Sequence, residues 1–136
     1  MVLTIDPHSA EPIFEQIAFS VKEAVARGDL GPGAQLPSVR ELAQDLSVNP
    51  NTVVRAYELL TREGVVVRRQ GAGCFITGRP SALSGKHRRR QLQELVGRTV
   101  TEAFHLGFDA DDVRSAVEQS LSGIRFDDRL NNKEQG

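Results

Sequence analysis

Apolar residues recur at helical spacing in three consecutive segments of the first half of the chain. A repeat of every three to four residues places apolar side chains on one face of a helix. The three sets are Ile13, Ile17, Val21 and Val25, then Val39, Leu42, Ala43 and Leu46, then Val53, Ala56, Tyr57 and Leu60. The pattern therefore predicts three amphipathic helices.

The predicted second and third helices begin at capping residues. Ser38 and Glu41 have the spacing of a capping box, in which each side chain accepts a hydrogen bond from the other residue's backbone N–H. Asn49 is a favoured cap, and Pro50 suits the first helical position. Gly28 predicts the end of the first helix. We also expect the start of the third helix to offer free N–H groups and a positive dipole end to a phosphate.

A β-hairpin follows the third helix, which we expect to end at Gly64. Residues 65–69 are β-branched or basic, residues 70–73 form a glycine-containing turn, and residues 74–77 return as a second strand. Three helices followed by a hairpin flanked by arginines are typical of a winged helix-turn-helix. The predicted fold class is mainly α with a small β-hairpin, and residues 1–79 form the predicted winged-helix domain.

The second half of the chain predicts a linker over residues 80–86 and two more helices within residues 87–124. Gly107 separates these helices, and Asp109 is the expected cap of the second one. Residues 125–136 are short and polar, which indicates a disordered tail. The two helices carry a broad apolar stripe, formed by Leu92, Leu95, Val96, Val100, Phe104, Val113, Val117 and Leu121.

A two-helix appendage is too small to bury this apolar stripe by itself. A symmetric second copy of the chain supplies the missing cover. We therefore predict that residues 87–124 form a homodimer interface.

The overall charge does not indicate a nucleic-acid partner, since the formal net charge is −1. The charges are unevenly placed, however. Residues 38–79 contain six arginines and four carboxylates, and residues 86–98 contain five basic residues and one glutamate. Any DNA contact must come from such separate patches. The basic run at residues 86–90 adds phosphate contacts or is simply a solvated helix start, and both interpretations stay open.

Catalytic and metal chemistry are not indicated. His8, His87 and His105 have no metal-ligand spacing, and no nucleophile–base set is present. Cys74 is the single cysteine, which excludes an intramolecular disulfide and fits a cytoplasmic protein. Helix capping explains the carboxylates at residues 109–112 better than a metal site does. Without a nucleophile–base set we expect no enzyme activity and no cofactor. No apolar run approaches the roughly 20 residues of a membrane span, so we expect no membrane association.

The polar face of the third helix is the main candidate for DNA contact. Asn51 and Arg55 lie opposite the apolar face, and the planar guanidinium of Arg55 suits a guanine edge or a phosphate. The alternative is that Arg55 is a solvated side chain paired with Glu58 or Glu63. Similarly, Arg40 either binds phosphate or forms an ion pair within the domain.

The hairpin offers further candidates. Arg68 and Arg69 are adjacent on a strand, so they point to opposite faces and only one is expected to contact DNA. Gly71 and Gly73 let the turn approach the sugar-phosphate surface closely, or they serve the turn alone.

Four sequence blocks, PIFEQ at 12–16, LPSVRELA at 36–43, NPNTVVRAY at 49–57 and GAGCF at 71–75, resemble the GntR family of bacterial regulators. The short two-helix tail is similar to the YtrA subfamily. The resemblance implies a homodimer on a pseudo-palindromic operator in double-stranded DNA, usually as a repressor. It also implies that the third helix enters the major groove and that the wing touches the minor groove or backbone. Pro50 stands where several relatives place an arginine, so their base contacts are not transferred.

The predicted DNA-contacting residues are Ser38, Arg40, Asn49, Asn51, Thr52 and Arg55 in the helices and Arg68, Arg69, Gln70, Gly71 and Gly73 in the hairpin. Two other functions compete with this one. A winged helix can be a protein-interaction module, although the polar third helix disfavours that. The chain can also be a fragment of a regulator fused to a pyridoxal-phosphate enzyme-like domain, which the short tail disfavours. Whether a small-molecule effector binds is left open.

Overall fold

A computed structural model describes residues 3–78 and 85–126. The described residues form two compact units. The first unit comprises residues 3–78 with Arg125 and Phe126, and the second comprises residues 85–124. Residues 80–84 of the predicted linker and residues 127–136 of the tail predicted over residues 125–136 lie outside the described residues. The first tail residue is placed, since the Arg125 N–H donates to the Ala26 carbonyl at 3.0 Å.

The elements follow the predicted order, and the mainly helical fold with one small hairpin is confirmed. In chain order they are α1 (Ile13–Arg27), α2 (Val39–Leu46), α3 (Pro50–Arg62), β1 (Val66–Arg69), β2 (Gly73–Ile76), α4 (Gly85–His105) and α5 (Ala110–Ser122). Gly85 and Lys86, which the predicted linker included, belong to α4. The strands β1 and β2 pair antiparallel, and we call β1, β2 and the connecting residues 70–72 the wing.

Local capping explains where α2 and α3 begin. The Ser38 hydroxyl accepts the N–H of Glu41 at 3.1 Å, and the Asn49 side-chain oxygen accepts the N–H of Asn51 at 2.8 Å. Pro50 occupies the first position of α3. Among the described residues the reciprocal bond from the Ser38 N–H to the Glu41 carboxylate is not formed, so only half of the predicted capping box is present.

The core of the first unit lies between α1, α2, α3 and the inner face of the wing. All of the apolar residues with the lowest exposure come from these elements and from the segment before α2. They are Ile17, Ala18, Val21, Leu36, Leu42, Ala43, Val53, Ala56, Tyr57, Leu60, Val66, Cys74 and Ile76. Burying these side chains is the main favourable contribution to folding, and it leaves the polar face of α3 toward solvent.

The segment before α2 adds a third backbone to the wing, which the sequence pattern did not reveal. The N–H of Gly33 donates to the carbonyl of Ile76 at 2.8 Å, and the N–H of Leu36 donates to the carbonyl of Cys74 at 2.9 Å. The Ile76 N–H returns a bond to the Ala34 carbonyl at 2.8 Å. The free edge of β2 is thereby covered, and the wing is attached to the helical core.

Tyr57 connects α3 to the same segment. Its hydroxyl donates a 2.7 Å hydrogen bond to the Pro37 carbonyl, while its ring is buried in the core. Burial raises the pKa of the Tyr57 phenol well above its ordinary value, and the nearby Cys74 thiol and Glu41 carboxylate add to the increase. The hydroxyl therefore remains a donor throughout the physiological pH range.

Tyr57→Phe is expected to lower the free energy of unfolding by about 1–2 kcal/mol, because the Pro37 carbonyl then loses its partner in a partly buried position. Urea denaturation followed by circular dichroism measures the change. Thr101→Val, which removes an exposed hydroxyl from α4 on the side opposite Leu92, is the control for loss of one hydroxyl. An unchanged denaturation midpoint for Tyr57→Phe would contradict this role.

In the second unit, neither α4 nor α5 has a buried residue among those described. Gly107, with φ +90°, separates the two helices as predicted. Asp109 caps α5 through a complete capping box: its carboxylate accepts the N–H of Asp112 at 2.9 Å, and Asp112 accepts the N–H of Asp109 at 3.2 Å. The paired carboxylates thus have a structural explanation.

Candidate nucleic-acid interface

The polar face of α3 is exposed, as the sequence predicts. Asn51, Arg55, Glu58 and Arg62 are all exposed, whereas Val53 on the other face is fully buried. The Asn51 side-chain amide makes no hydrogen bond to any residue in the described parts of the chain. Its donors and acceptor are therefore available to an external partner.

The start of α3 does not offer the free N–H groups that we predicted. Pro50 has no N–H, and Asn49 takes up the next two: its side chain accepts from Asn51 and its carbonyl accepts from Thr52 at 2.9 Å. The cap that starts the helix thus uses the donors that a phosphate would need. At α2, by contrast, no hydrogen bond from the N–H of Val39 or Arg40 is found within residues 3–78 and 85–126.

Arg55 is stacked on an aromatic ring from another helix. Its guanidinium carbon lies 4.0 Å from the centre of the Phe14 ring on α1. Neither carboxylate named as its alternative partner forms an ion pair with it, since Glu63 binds Lys22 and no pair joins Arg55 to Glu58 within the described residues. The guanidinium is therefore held by a ring face and keeps its N–H donors unpaired.

Arg40 lies on α2 and is exposed. In the part of the chain that the structure describes, no carboxylate lies within ion-pair distance of its guanidinium. The alternative of an ion pair within the domain has no support here, and the side chain is available for a phosphate.

The two wing arginines lie on opposite faces of the hairpin. Arg68 is paired across the strands with Cys74, on the face where Val66 and Ile76 are buried. Arg69 is paired with Gly73, on the other face. The guanidinium carbon of Arg69 lies 4.7 Å from the centre of the Phe75 ring. The wing therefore presents two cationic groups in different directions, of which Arg69 is restrained by stacking.

The turn of the wing requires its glycines. Gly71 and Gly73 have φ values of +76° and +115°, which side chains other than glycine rarely adopt. A Cβ at Gly73 would lie 3.0 Å from the Gln35 side-chain nitrogen, which donates a 2.7 Å bond to the Ala72 carbonyl. Nothing lies within 4 Å of a Cβ at Gly71. Both glycines serve the turn, and Gly71 leaves its tip open.

A groove of about 850 Å³ separates the wing from the start of α2. Ser38 and Glu41 line one side, Arg68 and the exposed Gln70 line the other, and Tyr57 lies among its lining residues. Arg68 and Val39, whose N–H has no partner in the described residues, both line this groove. Arg68 and the N–H of Val39 are groups that an anion would bind, whereas the Glu41 carboxylate on the α2 side would repel it.

The second unit carries the predicted apolar stripe on its surface. Seven of its eight residues are exposed: Leu92 (60%), Leu95 (67%), Val96 (52%), Val100 (48%), Phe104 (73%), Val117 (46%) and Leu121 (42%). Val113 is half-buried. Leu106 and Phe108, which sequence reasoning did not include, are also exposed, at 73% and 55%.

The basic run at the start of α4 is exposed at Lys86, Arg89 and Arg90. Arg90 forms an ion pair with Glu94 one turn later, at 3.5 Å. Lys86 and Arg89 also carry positive charge at the N-terminal end of α4, where the helix dipole disfavours it.

Two residues of the candidate interface were missed by sequence reasoning, namely Phe14 and Phe75. Each belongs to a recognised sequence block, but neither has a spacing that links it to an arginine. Within residues 3–78 and 85–126, no group of histidine, cysteine and carboxylate side chains is arranged to hold a metal ion. None of the described helices is long and apolar enough to cross a membrane.

Comparison with known proteins places these features in a family. Residues 13–76 match the model of the bacterial regulatory proteins of the gntR family. The transcriptional repressor YtrA of Bacillus subtilis is 32% identical over 124 residues, which are 91% of this chain and 95% of that protein.

Two solved structures extend the comparison. A transcriptional antiterminator from Listeria monocytogenes superposes with a TM-score of 0.78 at 32% identity, covering 88% of this chain and 90% of that one. The DNA-binding domain of AraR in complex with operator ORX1 superposes with a TM-score of 0.50 at 26% identity, covering 57% of this chain and 95% of that one. The match over residues 13–76 and the near full-length similarity to YtrA show that the chain belongs to the GntR family of bacterial regulatory proteins and is YtrA-like.

Proposed function

We propose that this protein is a DNA-binding transcription regulator that represses transcription by occupying a pseudo-palindromic operator as a homodimer. The observation that carries the proposal is the exposed face of α3, where Asn51 and Arg55 keep unpaired hydrogen-bond donors. An apolar partner surface would leave these groups unpaired at a cost in free energy, whereas base edges and phosphates satisfy them.

The similarity to an operator-bound domain supports the same assignment. The neighbour that covers the winged helix is a DNA-binding domain in complex with its operator, and the YtrA relative is a transcriptional repressor. In this proposal α3 enters the major groove, and the wing and the start of α2 contact the sugar-phosphate backbone. The protein then works in the cytoplasm, where bacterial operators lie.

The exposed apolar stripe supports the homodimer. Seven of its eight side chains expose 42–73% of their surface, on helices in which no described residue is buried. Large apolar side chains exposed in such number mark an interaction site on a protein in water. A second copy covers it with a self-complementary surface and joins two DNA-binding units, as an inverted repeat requires.

Selection from a random duplex pool tests the proposal. Purified protein is incubated with the pool, bound duplexes are amplified, and the solution mass of the protein is measured in the same buffer. Enrichment of an inverted repeat by a dimer is the expected result. A folded dimer that enriches no sequence, with or without added cell metabolites, would contradict the DNA assignment and favour a protein-interaction module.

Operator affinity is expected to fall steeply with salt concentration, because arginines at phosphates release condensed counterions. With about six phosphates contacted by two copies, the association constant should fall roughly 10³-fold between 50 and 200 mM salt. Fluorescence anisotropy of a labelled duplex measures this dependence. A flat dependence would remove the phosphate contacts assigned to the wing and α2.

A further inference from the structure

The contact between Arg55 and Phe14 carries an inference about how the recognition helix is set up. The two residues belong to different helices, α3 and α1, and their side chains meet at 4.0 Å from guanidinium carbon to ring centre. Arg55 is exposed, and Phe14 is half-buried. An exposed arginine ordinarily samples many rotamers, and ordering it on binding costs free energy.

The geometry of stacking leaves the arginine usable. A guanidinium is planar, and its N–H donors point outward within that plane. A ring placed over one face attracts the positive charge but occupies none of the N–H directions. Phe14 therefore restricts the Arg55 side chain and leaves all of its N–H donors unpaired. An ion pair with a carboxylate would also restrict it, but would use one or more of those donors.

The position of Phe14 is itself fixed by the fold. At the other end of the contact between α1 and α3, an ion pair joins Lys22 of α1 to Glu63, the residue that follows α3. Near Phe14, the Gln16 side-chain amide donates to the backbone carbonyls of Asp6 and Glu11, at 3.0 and 2.8 Å, and its oxygen accepts the Asp6 N–H at 2.8 Å. The first turn of α1 is thus attached to the segment before it, and Phe14 packs against the core.

We propose that Phe14 is a positioning residue for DNA recognition, which holds the Arg55 guanidinium in an ordered, donor-ready orientation before DNA binds. This inference rests on the proposed function, because it assigns Phe14 a role only through an arginine that contacts DNA. Phe14 itself touches no DNA in this proposal.

Three substitutions at the ring test the proposal. Phe14→Leu keeps an apolar side chain but removes the ring face, Phe14→Tyr keeps the ring face, and Phe19→Leu is the matched control. Phe19 lies on the same helix, is 60% exposed, and stacks on no arginine among the described residues. Each variant is measured for operator affinity and for its urea denaturation midpoint, so that a loss of folding is recognised.

Phe14→Leu is expected to weaken operator binding roughly 5-fold or more for a duplex contacted by two copies. Phe14→Tyr should retain the wild-type affinity for the operator, and Phe19→Leu should leave that affinity unchanged. In an Arg55→Ala background, Phe14→Leu should have no further effect, because its influence acts through that arginine. Equal losses with and without Arg55 would overturn the proposal and assign Phe14 to packing alone.

A spectroscopic measurement separates this inference from the proposed function. In the free protein, the Arg55 side-chain protons should show ring-current shifts in the NMR spectrum that Phe14→Leu abolishes and Phe14→Tyr retains. If the wild type binds its operator, Arg55→Ala weakens binding and Phe14→Leu does not, the positioning role fails while the proposed function stands. If the wild type selects no operator, the proposed function fails, and the DNA role of the stacked pair fails with it.

Discussion

Val100→Asp is expected to convert the proposed homodimer to a monomer and to abolish tight operator binding. In the single chain Val100 is 48% exposed, so the aspartate is solvated and the monomer remains folded. In a symmetric interface the substitution buries two carboxylates among apolar side chains, which costs several kcal/mol. A dimer that relies on the apolar stripe does not tolerate that cost.

Analytical ultracentrifugation and operator titration measure the two consequences together. Gln91→Asp is the control, because it introduces the same charge on the same helix about 180° around from Val100. The control is expected to sediment as a dimer and to bind like the wild type. A Val100→Asp protein that still sediments as a dimer would show that the stripe is not the interface.

Arg55→Ala is expected to weaken operator binding by about 1–3 kcal/mol for each half-site. With two copies on one operator, the loss amounts to roughly 30-fold or more. The reason is the exposed position of the guanidinium on α3 and its unpaired N–H donors. If Arg55 reads a guanine, the variant should also relax the sequence preference at that position.

The matched control for Arg55→Ala is Arg27→Ala. Arg27 is an exposed arginine in the last turn of α1, where it is paired with Glu23. Its replacement changes the net charge by the same amount as Arg55→Ala, but outside α3 and the wing. Repeating the random-pool selection with both variants measures affinity and preference at once. Equal affinity of Arg55→Ala and the wild type would remove Arg55 from the DNA contacts.

The sequence predicts the helices and their starts because those depend on neighbouring residues. Apolar spacing marks the core face of each helix, and Ser38 and Asn49 start α2 and α3 through hydrogen bonds that span two or three positions. The prediction of free N–H groups at the start of α3 was wrong, and the reason is again local. Asn49 uses one donor through its side chain and one through its carbonyl.

Contacts between distant segments could not be predicted in this way. The pairing of residues 33–36 with β2 joins segments about 40 positions apart, and the earlier segment, with only Ala34 and Leu36 as alternating apolar residues, is too short to be recognised as a strand. The stacking of Arg55 on Phe14 likewise depends on how α1 packs against α3. In the sequence, Phe14 is one residue of the block PIFEQ, and nothing in that block indicates its contact with Arg55.

The apolar stripe was predictable as a pattern, because its spacing is helical and its width exceeds what two helices can bury. Its exposure in the single chain agrees with that reasoning, and the additional exposed Leu106 and Phe108 extend it beyond the helical spacing. Which surface covers it depends on a second molecule, so the homodimer remains a prediction.

The mass of the complex between the protein and a selected duplex tests the central claim most directly. Light scattering or native mass spectrometry at a slight excess of protein gives the number of chains on each duplex. We predict two chains on a duplex with an inverted repeat, and loss of tight binding when one half-site is scrambled. One chain per duplex, with affinity unaffected by scrambling the second half-site, would contradict a paired regulator.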